Sequence, residues 1–188
     1  MPALRRCLNG LDATGSRRLF DLGCGNGAIG ASLAGAGWTV TGVDPSADGV
    51  AAARVYHPGL SVHTGSGYDN LAARFGRFPV VISLEVIEHV YAPRSFARTL
   101  ADLLEPGGTA ILSTPYHGYW KNLALSLSGR MDRHFTALWD HGHIKFWSRA
   151  TLGTLLEEAG LKVVRFDRIG RVPPFAKSMI AMAEKPGC

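Results

Sequence analysis

Three side chains that can move a proton or hold a metal ion lie within five positions of this 188-residue sequence: Glu85, Glu88 and His89. They follow the apolar segment 78–84, which predicts a buried strand. If Glu85 begins a helical turn, the i, i+3, i+4 spacing places all three on one face. Two carboxylates and an imidazole can bind Mg²⁺ or Zn²⁺, or His89 alone can act as a general base. The structural alternative is that the carboxylates favour a helix N-terminus and His89 is a hydrogen-bonding side chain.

A second group of candidate ligands is histidine-rich. His141 and His143 have a spacing that would place both imidazoles on one face of a strand, and His134 precedes them. No cysteine or aspartate is obviously organised beside them. Two interpretations therefore stay open: metal ligands, or structural and acceptor-site contacts.

A glycine-rich loop, FDLGCGNG at positions 20–27, ends the first predicted strand. Gly23, Gly25 and Gly27 allow tight turning and close approach of a ligand to the backbone. Together with Ala28 they also satisfy G-x-G-x-x-A, a pattern typical of dinucleotide sites. The glycines alone therefore leave the identity of the ligand open.

Two aspartates describe the ligand further: Asp21 disfavours a dinucleotide, whereas Asp44 indicates a nucleoside and fits both alternatives. Asp21 lies two residues before Gly23, where a carboxylate would repel phosphates and attract a cation. Asp44 ends the second predicted strand, where a carboxylate can accept hydrogen bonds from both ribose hydroxyls. S-adenosylmethionine (SAM) has a ribose, an adenine, a positive sulfonium and no phosphate. The sequence therefore predicts a SAM site.

Short apolar segments alternate with helical patterns along most of the chain. Strands are predicted over 18–22, 38–43, 60–64, 78–84 and 109–114. Helices are predicted over 28–36, 47–55, 93–104 and 149–159. This alternation indicates right-handed βαβ units in an α/β, doubly wound, mostly parallel sheet. The last two strands, 161–169 and 178–184, have no helix between them, so one of them is expected to run antiparallel.

The segment 115–147 interrupts this alternation. It contains one predicted helix with an apolar face formed by Trp120, Leu123, Ala124, Leu127 and Met131. A long insertion at the carboxyl end of the fifth strand is expected to form the acceptor site or a lid. The apolar face of this helix either packs into the core or makes a peripheral membrane contact through residues 116–133. The flanking basic side chains support the membrane alternative.

Composition and charge limit the classes of protein. The chain is 46% hydrophobic and 19% charged, which predicts one folded domain over residues 1–188. The net charge is +5, but the basic residues are dispersed without interleaved aromatics, so no nucleic-acid partner is expected. Cys7, Cys24 and Cys188 are odd in number and lack metal-type spacing, which predicts reduced thiols in a cytoplasmic protein. Association of this protein with membranes is expected only through the apolar face of the insertion.

Several ordered segments resemble the motifs of class I SAM-dependent methyltransferases: LFDLGCGNG at 19–27, VTGVDPS at 40–46 and LEVIEHVYAPRSFARTLADLLEPGGTAILSTP at 84–115. Within that superfamily the sequence resembles the ubiquinone-biosynthesis O-methyltransferases. The shared features are Glu85-x-x-Glu88-His89, the insertion, and GHIKFWSRATLGTLLEEAG at 142–160. The resemblance implies a seven-stranded sheet in the order 3-2-1-4-5-7-6.

The resemblance also implies roles for individual residues. The loop of Gly23, Cys24, Gly25 and Gly27 would approach the methionine part of SAM, and Asp21 would orient this loop or favour the cation. Asp44 would hold the ribose. The adenine would lie against Pro45, Ser66, Gly67 and Tyr68. The amino-acid end of SAM would meet Leu84 and Glu85.

The function implied by the resemblance is methyl transfer from SAM to a hydroxyl oxygen of a small aromatic, catechol-like or prenylated acceptor. Glu85, Glu88 and His89 would be the catalytic residues. The family's enzymes use a divalent metal with an E-x-x-E-H motif, so the same three residues are the expected metal ligands. The alternatives are N- or C-methylation of another small metabolite, or a SAM-binding module without turnover.

Overall fold

The structure, a computed structural model, describes residues 2–9, 11, 16–135, 137–172 and 175–187. Its strands are β1 (Arg18–Leu22), β2 (Thr39–Asp44), β3 (Ser61–Thr64), β4 (Phe78–Leu84), β5 (Leu104–Pro115), β6 (Lys162–Ile169) and β7 (Ser178–Glu184). Its helices are α1 (Pro2–Asn9), α2 (Ala28–Ala34), α3 (Ala47–Tyr56), α4 (Leu71–Phe75), α5 (Pro93–Asp102), α6 (Tyr119–Leu127), α7 (Met131–Phe135) and α8 (Arg149–Glu158). The strands form one sheet in the order β3-β2-β1-β4-β5-β7-β6, which confirms the predicted fold class.

The strand directions bring the candidate residues to one edge of the sheet. β1 pairs in parallel with β2 and β4, and β4 pairs in parallel with β5. β7 runs antiparallel to both β5 and β6, which confirms the predicted terminal hairpin. The strand order reverses between β1 and β4, and open α/β sheets bind ligands at such a switch point.

Helix α1 has no counterpart in the sequence prediction. Its Leu4, Cys7 and Leu8 follow the i, i+3, i+4 spacing, are buried, and pack against Leu19 and Ile82 of the sheet. A helix of eight residues is too short to be stable alone in water. The sheet therefore stabilises α1, and this tertiary contact is what a local pattern could not predict.

The two described thiols lie in different parts of the core. Cys7 and Cys24 are free and buried, whereas Cys188 lies outside the described residues. Burial raises the pKa of the Cys24 thiol to about 12, with a further contribution from Asp21, so this thiol is neutral.

The insertion differs from its prediction in two ways. The single helix predicted through Met131 is wrong, because Gly129 has a φ of 64° and separates α6 from α7. The expectation that its apolar face joins the core is also wrong, since α6 has no buried residue and Trp120 and Leu127 are 58% and 80% exposed. The insertion is held at its ends, where the His117 N–H donates to the Trp147 carbonyl at 2.9 Å.

Candidate functional site

The glycine loop folds tightly over the end of β1. Gly23, Gly25 and Gly27 have φ angles of 88°, 52° and 75°, a region that residues with side chains rarely adopt. The Gly23 N–H donates to the Val43 carbonyl at 2.8 Å, and a Cβ at this position would collide with Val86. These positions therefore require glycine, and the loop lies directly between the ends of β1, β2 and β4.

Cys24 contributes its backbone to this loop. Its N–H donates to the Val43 carbonyl at 3.1 Å. Its side chain points into the core, where a Cβ on Gly42 would lie 2.8 Å from the Cys24 sulfur. The thiol is thus packed away from the side of the loop on which a ligand could bind.

Asp44 connects the glycine loop to the turn after β2. Its Oδ2 accepts the Gly25 N–H at 2.8 Å, and its Oδ1 accepts the Ser46 N–H at 2.9 Å. Each carboxylate oxygen has two lone pairs, so both oxygens can still accept a hydroxyl donor. The carboxylate is therefore oriented at the switch point before any ligand binds.

Asp21 is the most unusual charged group near this loop. It is buried, and its Oδ2 atom has no hydrogen-bond partner among the described residues. Burial, and then repulsion from Asp44, raises the pKa of the Asp21 carboxyl to about 7. A positive ligand nearby would offset both effects, which agrees with the expected preference for a cation.

Replacement of Asp21 by asparagine is expected to flatten the pH dependence of stability. The folded-state pKa is about 7, above the ordinary value of 3.8, so the wild type loses stability as pH rises from about 4 to about 7. That loss amounts to roughly 4 kcal/mol at about 1.4 kcal/mol per pH unit, and Asp21→Asn removes it. Urea unfolding without SAM at pH 5, 6, 7 and 8 measures the difference.

The control for this prediction is Asp102→Asn, which changes an exposed aspartate on α5. Its free energy of unfolding should differ from the wild type by the same amount at every pH. If the free energies of unfolding of the wild type and Asp21→Asn also differed by the same amount at every pH, the prediction would be contradicted.

The residues expected to flank the adenine lie at the ends of β2 and β3. Pro45 is exposed just after β2, and the Ser66 N–H donates to Asp69 Oδ2 at 2.8 Å. The Tyr68 hydroxyl accepts the Ala92 N–H at 3.1 Å. A Cβ on Gly67 would lie 2.6 Å from the ring of Phe96, so packing requires this glycine.

Glu85 is in a different conformation from the one predicted. Its φ of 54° is left-handed, so the helical turn expected to begin there is wrong. The residue directly follows Leu84, the half-buried end of β4. Its N–H donates to the Ser113 carbonyl at 3.0 Å, and the Ser113 hydroxyl donates to Glu85 Oε1 at 2.7 Å. Bonding to β5 thus determines the direction of the Glu85 side chain.

The structure places His143, rather than Glu85, in the group of potential metal ligands. One ligand atom each from Glu88, His89 and His143 lies within 4.8 Å of the others. Glu88 is buried, its Oε2 accepts the Thr114 hydroxyl at 3.0 Å, and its Oε1 has no hydrogen-bond partner among the described residues. His143 Nε2 lies 3.9 Å from that free oxygen.

The insertion reaches this group through backbone hydrogen bonds. The N–H groups of Ile144 and Lys145 donate to the Glu88 carbonyl at 2.9 and 3.0 Å, which brings His143 beside Glu88. The spacing His141-x-His143 was a signal in the sequence, but the two histidines do not lie on a strand as expected. His141 instead has a φ of 59° and contributes its carbonyl.

The ring of His89 is oriented by that carbonyl. His89 Nδ1 lies 3.0 Å from the His141 carbonyl and 3.2 Å from the Gly142 carbonyl, and two acceptors require a proton on Nδ1. In neutral His89 the other nitrogen, Nε2, then has a free lone pair. This nitrogen can accept a proton or bind a metal ion.

Burial determines the charge of the neighbouring groups. It raises the pKa of the Glu88 carboxyl to about 7, and the proximity of Glu85 adds to the increase. It lowers the pKa of His143, and a protonated His89 nearby would lower it further. The Nε2 atom of His89, a His143 imidazole whose lowered pKa favours the neutral form, and a carboxyl that ionises near neutral pH are suited to binding a cation.

A cavity of about 630 Å³ opens beside this group, and His143 lines it. Further lining residues come from the insertion and from the connection between β6 and β7, among them His117, Lys121, His134, Trp139 and Phe146. His134 thus lies at the cavity and outside the Glu88 group. Cavities of about 300–1,000 Å³ are typical of small-molecule sites.

Comparisons with known proteins show the family of this chain. Residues 3–165 match the family model described as a methyltransferase domain. The chain belongs to this methyltransferase family. It is a SAM-dependent methyltransferase domain, and the class predicted from its motifs is confirmed. The prediction of SAM as the cofactor is confirmed with it.

Two relatives support the same family. A ubiquinone biosynthesis O-methyltransferase of Aromatoleum aromaticum is 33% identical over 78% of the chain and 64% of the relative. That of Burkholderia pseudomallei is 30% identical over 84% of the chain and 69% of the relative. The methyltransferase domain thus spans a little under two thirds of the first of these relatives.

The fold is shared with magnesium protoporphyrin IX methyltransferase from Synechocystis PCC 6803, solved with bound SAH. The TM-score is 0.72 at 20% identity, over 98% of the chain and 82% of that structure. At this level of identity the likeness concerns the fold alone.

Proposed function

We propose that this methyltransferase transfers the methyl group of SAM to a hydroxyl oxygen of a small aromatic, catechol-like acceptor. The observation that carries the proposal is the unpartnered Oε1 of buried Glu88, which faces His143 beside a ligand-sized cavity. Such a group suits an acceptor whose hydroxyl proton must be removed, because a phenol is mostly neutral near pH 7. The similarity to ubiquinone biosynthesis O-methyltransferases supports oxygen as the methylated atom.

SAM would bind across the switch point between β1 and β4. Its methionine part would lie on the loop of Gly23, Cys24, Gly25 and Gly27, with Asp21 favouring the positive charge. Asp44 would accept hydrogen bonds from the ribose hydroxyls, and Pro45, Ser66, Gly67 and Tyr68 would border the adenine. Leu84 and Glu85 would meet the amino-acid end, since the Glu85 N–H and carboxyl are anchored to Ser113 on the adjacent strand.

SAM would supply a methyl group bonded to a positively charged sulfur. This sulfur would leave as the neutral sulfide of SAH. The acceptor oxygen forms its bond to the methyl carbon as the carbon–sulfur bond breaks, and the hydroxyl proton passes to the protein or to solvent. The task of the chain is to orient the hydroxyl and to accept its proton. His89 Nε2 and the Glu88 carboxyl are the groups with free acceptor capacity for this step.

Glu88, His89 and His143 would also hold a divalent ion. The fit is supported by one unpartnered carboxylate oxygen and two imidazoles within 4.8 Å of one another. One oxygen and two nitrogens suit Zn²⁺ or another first-row ion better than Mg²⁺, which prefers oxygen ligands. Such an ion would lower the pKa of a catechol hydroxyl. Glu85 is not part of this proposed ligand set, although the sequence analysis predicted it as a metal ligand.

Substitution of His143 by asparagine is expected to weaken Zn²⁺ binding by at least about tenfold, because one of three ligands is removed. Isothermal titration of the purified protein with Zn²⁺ measures this change. The matched control is His63→Asn, which changes a histidine of β3 far along the sheet from the site. Equal Zn²⁺ affinity of wild type and His143→Asn would contradict the proposed ligand set.

The methyl acceptor proposal is tested by SAM turnover with a panel of catechols and matched monophenols. Conversion of SAM to SAH, with the mass and fragmentation of the product, identifies the atom that is methylated. O-methylated catechol is the expected product. N- or C-methylated products from amine or carbon acceptors would contradict the proposal and indicate a different methylated atom. SAM binding without turnover would indicate a binding module.

We also propose that the insertion contacts a membrane surface, which would give access to an acceptor with an apolar chain. Trp120, Leu127 and Leu138 are 58%, 80% and 98% exposed around the cavity-forming segment. Among the residues that the structure describes, no helix is long and apolar enough to cross a bilayer. A surface contact through residues 116–133 is the arrangement these side chains favour.

The double substitution Trp120→Ser/Leu127→Ser is expected to lower binding to vesicles of phosphatidylcholine and phosphatidylglycerol by at least about tenfold, since two exposed apolar side chains that would enter the membrane are lost. Flotation of the vesicles measures the bound fraction. Val55→Ser/Tyr56→Ser is the control, because these side chains are 74% and 75% exposed on α3. Absent wild-type binding, or equal binding by both variants, would rule out the contact.

A further inference from the structure

The cavity beside His143 has a cationic lining that methyl transfer to a neutral catechol would not need. Lys121, Arg130, Arg171 and Lys177 all line it, from α6, the α6–α7 connection and the β6–β7 connection. The described lining residues include no aspartate or glutamate. Four cations from three separate segments, of which Lys121 is half-buried and the other three are exposed, therefore border one open cavity.

Some basic side chains elsewhere in the protein are paired with carboxylates. Arg94 forms an ion pair with Glu158 at 2.6 Å, and Arg165 forms one with Asp167 at 2.8 Å. In the described part of the chain, none of the four cavity cations has a carboxylate partner. Like charges gathered without counter-charges repel one another, so the arrangement is more favourable when an anion is present.

Lys121 is the most buried of the four cations. Lys121 is half-buried, and its ammonium donates to the Tyr116 carbonyl at 2.7 Å. Burial lowers the pKa of Lys121, and the positive charge of Arg171 lowers it further. The nearby histidines do not supply a negative charge, and burial lowers the pKa of His117 to about 4, so it is neutral.

The rest of the lining is apolar. Leu125, Trp139, Phe146 and Phe175 contribute large hydrophobic side chains to the same cavity. Its volume of about 630 Å³ accommodates a ligand much larger than a single aromatic ring. A ligand that satisfies this lining has an apolar body and an anionic group.

We propose that the natural methyl acceptor carries an anionic group, a carboxylate or a phosphate, which Lys121, Arg130, Arg171 and Lys177 bind while the reacting hydroxyl lies at His143. This inference rests on the proposed methyl transfer and names the chemistry of its acceptor. The cations would act on substrate binding rather than on the methyl-transfer step. Their loss should therefore raise KM and leave kcat nearly unchanged.

The test uses catechols with a short alkyl arm that ends in a carboxylate, a phosphate or an uncharged carboxamide. For the wild-type protein at low salt, kcat/KM is expected to be at least about tenfold higher for an anionic arm than for the carboxamide. The preference between carboxylate and phosphate identifies the source of the charge. The preference for an anionic arm over the carboxamide should also decrease as salt is added, because exposed cations are screened.

Matched variants assign the preference to the cavity. Arg130→Gln/Arg171→Gln is expected to reduce the preference to about twofold or less through an increase in KM. Arg98→Gln/Arg168→Gln removes the same charge from exposed arginines outside the lining and should retain the preference. Equal kcat/KM for carboxylate and carboxamide in the wild type, or a preference that survives Arg130→Gln/Arg171→Gln, would overturn the proposal.

A binding experiment keeps this inference separate from the proposed function. Turnover of the uncharged catechol without an anionic preference would leave methyl transfer intact and remove only the anionic acceptor. If no catechol is methylated, isothermal titration with octanoate, octyl phosphate and octanamide still tests the cavity. Tighter binding of either anion than of the amide, lost in Arg130→Gln/Arg171→Gln, supports the anion site, and equal binding refutes it.

Discussion

Replacement of Glu88 by glutamine is expected to lower kcat for a catechol acceptor by about 10²–10⁴-fold, the range typical of a lost acid–base group. Glutamine has nearly the same shape as glutamate and can still accept the Thr114 hydroxyl through its carbonyl. It cannot take a proton, and its amide cannot replace a carboxylate as a ligand beside His143. Steady-state turnover with saturating SAM and acceptor measures the loss.

Binding and stability measurements show whether that loss arises at the site itself. The affinity for SAH should stay within about threefold of the wild type, because the cofactor residues are unchanged. Glu157→Gln, which changes an exposed carboxylate on α8, should retain full turnover. If Glu88→Gln retained most of kcat, His89 alone would be the base, and the proposed ion site would lose its support.

Replacement of Asp44 by alanine is expected to weaken SAM and SAH binding by about 10²–10³-fold, because the two charge-assisted hydrogen bonds proposed to the ribose hydroxyls would be lost. A second effect adds to this loss. The Gly25 and Ser46 N–H groups, which donate to Asp44 at 2.8 and 2.9 Å, lose their acceptor, so the glycine loop is less well ordered. Isothermal titration with SAH measures the dissociation constant.

The matched control for Asp44 lies on the next helix. Asp48 is an exposed acid in the first turn of α3, and Asp48→Asn should bind SAH like the wild type. Turnover of Asp44→Ala at saturating SAM should recover much of kcat, since the reacting groups are intact. An SAH dissociation constant within about threefold of the wild type would contradict the proposed role of Asp44.

Much of the fold could be predicted because its patterns are local. Apolar runs such as 78–84 mark the strands of a parallel sheet that is covered on both faces. The terminal hairpin was predictable from the missing helix between β6 and β7. Helix α1 was not, because its stability depends on Leu19 and Ile82, which become neighbours only when the sheet has formed.

The cofactor side of the site was more predictable than the acceptor side. The loop of Gly23, Gly25 and Gly27 and the carboxylate of Asp44 each directly follow a strand, so their places depend on strand ends. The insertion has no such constraint. Gly129 divides its helix, and the apolar face of α6 is exposed, against the expectation of helical periodicity.

The class of sheet, the glycine loop and the family could be predicted from the sequence alone, because adjacent residues and ordered motifs encode them. Which side chains meet depends on the tertiary fold. Left-handed Glu85 is bound to Ser113, while hydrogen bonds from Ile144 and Lys145 to the Glu88 carbonyl bring His143 to Glu88. Contacts between distant segments depend on how the chain packs, and spacing along the sequence carries no information about that packing.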